Sequence, residues 1–156
     1  MGRSLPSWRM YTDWLINLTV VAATLAAVCL CVLVHYEGLL VTSRRLAHLG
    51  GPPRVKVLYA IGSVLMLHVV EIWIFGLVTW LLLRLPECGH LGPGALHLFD
   101  YIYFSSATYT TVGFGDLAPV GPIRFLAGTE GLVGFVLITW SASFTYLEME
   151  RFWRAR

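Results

Sequence analysis

Hydrophobic residues fall into three long runs separated by shorter stretches with polar residues. The runs cover 15–34, 57–83 and 123–149, and each reaches the ~20 residues that a helix needs to cross a bilayer. A helix rises about 1.5 Å per residue, so the longer runs can span the hydrocarbon core with some tilt. The pattern predicts three membrane-spanning helices.

The stretches between these runs have different characters. Segment 38–53 carries Arg44, Arg45 and a Gly-Gly-Pro-Pro sequence, which predicts a polar hinge with a short interfacial helix before the break. Segment 85–97 is rich in Pro and Gly and predicts a loop. The following run, 98–110, suits a helix of about three turns, which is too short to cross a bilayer. We therefore expect that helix to be re-entrant.

The N-terminal residues up to Trp14 combine arginines with aromatic side chains, a mixture that suits the membrane interface. The apolar run that follows is too long for a signal peptide and lacks a convincing small-residue cleavage site. We interpret it as a retained membrane helix.

The composition favours a membrane protein and argues against several other classes. The 156 residues are 57% hydrophobic and 13% charged, a balance that places the chain in a bilayer. A net charge of +2 is too small to indicate a nucleic-acid partner. Motifs for phosphate binding, protein metal ligands and catalytic nucleophiles are not evident. We expect neither an enzyme nor an organic cofactor.

The three cysteines lead to two expectations. Cys29 and Cys31 are two residues apart on a helix and point in different directions, so we expect both to remain free. Cys88 lies in the loop predicted outside the cytoplasm, where a disulfide can persist. It is alone there, so a free thiol and a disulfide between two chains remain the alternatives.

The segment 110–116 reads Thr-Thr-Val-Gly-Phe-Gly-Asp and lies between the re-entrant helix and the last apolar run. Its two glycines alternate with a β-branched residue and an aromatic one. Glycine adopts φ > 0 at little cost, so successive carbonyls can turn toward one axis. Such carbonyls replace the water around a dehydrated monovalent cation. The segment resembles the selectivity filter of potassium channels.

Resemblance to the potassium channel pore family covers about 57–149 and leaves the first helix unexplained. It implies an all-α membrane protein with three transmembrane helices, a re-entrant pore helix and a selectivity filter, assembled as a homotetramer. The predicted parts are an N-terminal interfacial segment with the extra transmembrane helix (1–36), a cytoplasmic hinge (37–54), the pore module (55–150) and a cytoplasmic tail (151–156).

The same resemblance assigns roles to individual residues. K⁺ ions would be coordinated by the Thr111 hydroxyl and by the carbonyls of Thr111, Val112, Gly113 and Phe114, with Gly115 at the outer mouth. The predicted filter supports are Thr110, Asp116, Tyr103, His68, Glu71 and Glu130. The predicted pore lining and gate are Gly134, Phe135, Ile138, Ala142 and Tyr146. Gly134 could act as a hinge in the helix or could allow close packing between helices. The other four residues could form a gate or could simply pack against other helices.

Two positions depart from the family pattern. Phe114 stands where many members carry tyrosine, so a hydrogen bond of about 1 kcal/mol is lost and the filter should be less rigid. Ala107 stands where some bacterial members have a glutamate that pairs with the filter aspartate. We therefore expect Tyr103 to be the hydrogen-bond partner of Asp116.

Three ionisable residues lie inside the predicted membrane helices, where each needs a partner or a change in protonation. His68 and Glu71 are one turn apart in the second helix, and Glu130 is in the last. One interpretation is a structural clamp that holds a pore-helix group such as Ser105, Ser106 or Thr108. The other is a pH sensor.

A filter that opens outward places seven Lys and Arg residues in the cytoplasm and four outside, in agreement with the positive-inside rule. The N-terminus would then lie outside and the C-terminus in the cytoplasm, in a cell membrane and by expectation the bacterial inner membrane. The sequence also predicts the function, a passive potassium channel without a voltage sensor or cytoplasmic ligand-binding domain.

The expected partners of the channel are identical subunits and lipid, and the sequence does not specify whether a separate regulatory partner exists. The alternatives are a weakly selective cation channel and a non-conducting scaffold or sensor subunit.

Overall fold

The computed structural model describes residues 13–154, with side chains described for 13–151. The predicted interfacial residues 1–12 and the end of the predicted tail, 155–156, lie outside the described residues. The helices are α1 (Trp14–His48), α2 (Pro53–Leu82), α3 (Leu98–Tyr109) and α4 (Arg124–Arg154), and a 3₁₀ turn covers Pro86–Cys88. The strands β1 (His90–Leu91) and β2 (Pro119–Val120) form one antiparallel pair.

The predicted all-α membrane architecture is confirmed. Helices α1, α2 and α4 are long and apolar enough to cross a membrane, whereas α3 has only 12 residues. The ends of α2, α3 and α4 agree closely with the apolar runs of the sequence. Pro52 and Pro53 start α2 because proline fits the first turn of a helix, where its missing N–H has no helical partner to lose.

Helix α1 contradicts the predicted hinge at 37–54, because it continues past Val34 to His48. The Asp13 side chain caps its first turn by accepting hydrogen bonds from the next backbone amides. Buried positions recur every three or four residues along the whole helix: Val20, Thr24, Ala27, Cys31, His35, Leu39, Thr42 and Leu46. Tertiary packing on this stripe keeps residues 35–48 helical despite their polar neighbours. The predicted interfacial helix is the end of α1, and the break is confined to 49–52.

The re-entrant helix α3 packs between α2 and α4, and α1 packs along the same two helices. The main core forms where these four helices meet. Its fully buried side chains include Cys31, Phe75, Tyr109, Ile123, Leu126 and Leu137. The end of α3 is therefore fixed from three sides.

The loop between α2 and α3 binds the chain that follows segment 110–116. Strand β1 pairs with β2, and the Ile123 amide donates to the Cys88 carbonyl at 3.0 Å. Cys88 is free and fully buried, and burial raises the pKa of its thiol. Because the Cys88 thiol is enclosed within its own chain, the structure favours a free thiol over a disulfide between two chains. Cys29 and Cys31 are also free, as expected.

Candidate functional site

The backbone of segment 110–116 alternates in handedness. Thr111, Gly113 and Gly115 have φ values of 59°, 55° and 82°, and Thr111 is the one non-glycine residue with positive φ in the described part of the chain. Left-handed backbone costs a threonine roughly 1–2 kcal/mol, so the surrounding contacts must hold it there. With every second residue left-handed, successive carbonyl groups can point to the same side of the segment.

Hydrogen bonds from the end of α3 hold the base of this segment. The Thr111 amide donates to the Thr108 carbonyl at 2.9 Å, and the Gly113 amide donates to the Ala107 carbonyl at 3.0 Å. The Thr110 hydroxyl donates to the Ser106 carbonyl at 2.7 Å. The first two bonds satisfy carbonyls that the last turn of a helix leaves without helical partners, and the third adds a second donor to the Ser106 carbonyl, which also accepts from the Thr110 amide. Ala107 thus braces the segment through its backbone carbonyl.

Tyr103 supports the outer half of the segment. Its side chain lies near the Asp116 carboxylate, and the hydrogen bond between them stays a prediction. Its ring also stacks on the Phe114 ring, with centroids 6.2 Å apart and an interplanar angle of 11°. The Phe114 side chain is 71% exposed, so this stack is the contact that orients it within the chain.

The carboxylate of Glu71 is the centre of a buried network that joins all four helices. His35 Nδ1 lies 2.7 Å from Oε1, and His68 Nδ1 lies 3.0 Å from Oε2. The Tyr109 hydroxyl donates to Oε2 and lies 3.0 Å from His68 Nδ1. His35 Nε2 is 3.3 Å from the Ser141 hydroxyl. Tyr109 immediately precedes the filter segment, so the network holds the end of α3 from behind.

This arrangement supports the clamp interpretation of His68 and Glu71 and corrects its partner. The prediction named Ser105, Ser106 or Thr108, whereas the pore-helix group in contact is Tyr109. His35 was missed because the first helix was predicted to end at Val34. His35 lies four residues after Cys31, on the buried stripe of α1. Had the helix been extended past Val34, this helical spacing would have indicated that His35 is buried.

Glu130 lies apart from this network. It is fully buried, and the Ser105 hydroxyl donates to its Oε1. The same hydroxyl lies 2.8 Å from the Ile72 carbonyl, so Ser105 links α3 to both α2 and α4. The three predicted filter supports therefore contact the pore helix at two separate places. His68 and Glu71 contact Tyr109, whereas Glu130 contacts Ser105.

Gly134 lies against the base of the filter segment. A Cβ atom there would come within 2.8 Å of the Tyr109 carbonyl carbon and closer still to its oxygen. This contact supports the close-packing interpretation. Phe135, Ile138, Ala142 and Tyr146 are exposed on α4, and the last three line an open cavity of about 400 Å³ between α2 and α4.

A family model described as an ion channel matches residues 58–149. The chain belongs to this ion channel family. The match covers most of α2, all of α3, the filter segment and most of α4, and it leaves α1 outside. Membership makes the chain a membrane transport protein and not an enzyme. Channels of this family are generally oligomers in the membrane.

Two curated relatives share a short stretch with the chain. Each is called Protein LctB, one from Bacillus caldotenax and one from Geobacillus stearothermophilus, and each is 42% identical over 40 residues. The matched stretch is 26% of this ion channel and 30% of the length of each relative. No solved structure matches the chain with significance.

Proposed function

We propose that four copies of this ion channel chain form a K⁺-selective pore that conducts passively. The observation that carries the proposal is the alternating backbone of Thr111, Gly113 and Gly115. Four such segments around one axis would surround each ion with the Thr111 hydroxyls and the carbonyls of 111–114. These oxygens replace the hydration shell of K⁺, and neighbouring ions in the file repel one another.

Assembly as a tetramer is supported by what the single chain leaves uncovered. Backbone outside helices and sheets is tolerated at membrane depth only when it is buried in protein or lines an aqueous path. Val112 is 57% exposed, and Leu132 and Phe135 of α4 are 65% and 62% exposed. Neighbouring subunits around an axis would enclose the filter segment and cover this face of α4.

The contacts behind the filter suit selective conduction. Tyr109 is held by Glu71 and His68, and the Ala107 carbonyl fixes Gly113. The positive-inside count supports an orientation with the filter outward and the C-terminus in the cytoplasm, in a cell membrane that is by expectation bacterial.

A second candidate, a weakly selective cation channel, is favoured by one observation. Phe114 has no hydroxyl, and its exposed ring is oriented within the chain by the Tyr103 stack. A filter with fewer braces discriminates less strictly between ions of similar charge.

Ion uptake into liposomes tests these proposals. Tag-free protein is reconstituted, and uptake of K⁺, Rb⁺ and Na⁺ is measured after the particle mass has been determined in detergent. K⁺ and Rb⁺ uptake without Na⁺ uptake is expected, and equal Na⁺ uptake would favour the second candidate. No uptake from well-folded tetramers would indicate a non-conducting scaffold or sensor subunit.

A variant pair links any uptake to the filter segment. Gly113→Ala forces a side chain into the left-handed region and should abolish uptake. Gly62→Ala, at an exposed position of α2 with no atom within 4 Å of the added Cβ, should leave uptake unchanged. Equal uptake by both variants would overturn the assignment of 110–116 as the conduction path.

A further inference from the structure

His35, His68 and Glu71 bring three metal-ligating side chains to one point between α1 and α2. One ligand atom from each residue lies within 4.8 Å of the other two, and the two imidazole centroids are 5.5 Å apart. We propose that these three residues bind one divalent transition-metal ion of the Zn²⁺ class. Imidazole and carboxylate ligands suit such ions, and two histidines with one glutamate form a known Zn²⁺ ligand set.

The distances require little movement to admit a metal ion. His35 Nδ1 and His68 Nδ1 lie 2.7 and 3.0 Å from the two oxygens of Glu71. Ligands bound at about 2.0 to 2.1 Å in tetrahedral geometry are about 3.3 Å from one another. The ion would replace the protons shared in these two hydrogen bonds, and each histidine nitrogen would separate from the Glu71 carboxylate by about half an ångström or less. The two histidine nitrogens lie within 4.8 Å of each other and would settle at about 3.3 Å.

The groups around the ligands also suit a metal site. The Ser141 hydroxyl lies 3.3 Å from His35 Nε2, so it can accept a hydrogen bond from Nε2–H and leave Nδ1 unprotonated to bind the ion. The Tyr109 hydroxyl donates to Glu71 and orients its carboxylate. The ionic partners of this fully buried carboxylate in the described part of the chain are His35 and His68. A dication would offset the cost of a carboxylate buried at membrane depth.

The site has a path for entry and room for a further ligand. The open cavity of about 400 Å³ between α2 and α4 is lined by His68 and Ser141. The His68 side chain is 13% exposed, whereas those of His35 and Glu71 are fully buried. An ion that enters through this cavity would meet His68 first and could keep a water molecule on the cavity side.

The proposal gives α1 a specific task. Helix α1 lies outside the region that matches the ion channel family, and it supplies His35. A bound ion would fasten α1 to α2 directly, and through Glu71 it would fix Tyr109 beside the filter segment. Metal binding is measurable without ion flux, so the outcome does not depend on selectivity or conduction.

The test measures Zn²⁺ binding to purified, tag-free full-chain protein. The protein is equilibrated with ZnCl₂ and a competing chelator, and bound zinc is counted by elemental mass spectrometry. About one zinc per chain is expected, with thermal unfolding shifted upward by the metal as mass action requires. Cobalt substitution should give the visible absorption of a site with nitrogen and oxygen ligands.

Two variants and one control make the test specific. His35→Ala should weaken zinc binding by more than tenfold, and Ser141→Ala, which keeps all three ligands, should weaken it by roughly ten- to a hundredfold. His48→Ala, an exposed histidine near the end of the same helix, should bind zinc like the unchanged protein. If His35→Ala does not fold, Ser141→Ala carries the test alone. Zinc below about a tenth of an equivalent in the unchanged protein, or equal binding by all variants, would overturn the proposal.

Discussion

The contact between Gly134 and Tyr109 gives the sharpest prediction about the inner helix. A side chain at position 134 would meet the carbonyl of Tyr109, the residue that precedes the filter segment. We expect Gly134→Ala to displace the end of α3, to destabilise the folded chain and to reduce ion uptake. Gly62→Ala, at an exposed position of α2, is the matched control, because its added Cβ meets no atom within 4 Å.

The size of the effect follows from the geometry. Ordinary contacts begin at 3.4 Å, and the added Cβ would lie 2.8 Å from the Tyr109 carbonyl carbon and closer still to its oxygen, so the carbonyl group must retreat by more than about 0.6 Å. Overpacking of this kind costs about 1–3 kcal/mol. Both variants also gain about 1 kcal/mol from the higher helix propensity of alanine. The difference in unfolding free energy between the two variants therefore isolates the steric cost at position 134.

Chemical unfolding in detergent, followed by circular dichroism, measures this difference. We expect Gly134→Ala to be less stable than Gly62→Ala by about 1–3 kcal/mol. Equal stability of the two variants would refute the packing argument. If Gly134→Ala lost ion uptake while its stability matched the control, Gly134 would be acting as a hinge and not as a packing position.

Two further contacts give predictions that a single variant can check. Ser105→Ala leaves the buried carboxyl of Glu130 without its partner and should cost about 1–3 kcal/mol in chemical unfolding, whereas Ser106→Ala, which loses a bond within its own helix, should cost less than about 0.5 kcal/mol. Equal costs would contradict this assignment. Burial raises the pKa of Cys88, so less reactive thiolate is present at mildly alkaline pH, and maleimide should label native protein at least tenfold more slowly than unfolded protein. Equal labelling rates would contradict its burial.

The helices and the alternating backbone of segment 110–116 could be predicted because their signals are local. An apolar run long enough to cross a bilayer specifies a helix whatever lies beside it, and alternating glycines specify a backbone that few other sequences tolerate. The continuation of α1 through 35–48 was not predictable in this way. There, burial of His35, Leu39 and Thr42 against other helices outweighs the local polarity.

The hydrogen-bond partners of the buried polar groups could not be predicted from the sequence, for a related reason. Ser105 and Glu71 were both recognised as relevant, yet Ser105 binds Glu130, and Glu71 binds Tyr109. Helices that pack side by side can differ in rotation by one residue, which turns a side chain by about 100° and selects another neighbour. A single sequence specifies which polar residues need partners but not the rotation that supplies them.

Helix α1 is hydrogen-bonded to the rest of the chain at two positions along its length, one near its middle and one near its C-terminal end. Near its middle, His35 reaches both Glu71 and Ser141, which places the contact behind the filter segment. Near its end, Ser43 donates to Glu148 of α4 at 3.3 Å. Helix α1 therefore contacts α4 at both levels, through Ser141 behind segment 110–116 and through Glu148 near the end of α4. Contacts at two separated points fix the orientation of α1 against α4 more closely than one contact would, which agrees with the helical structure that α1 keeps through 35–48.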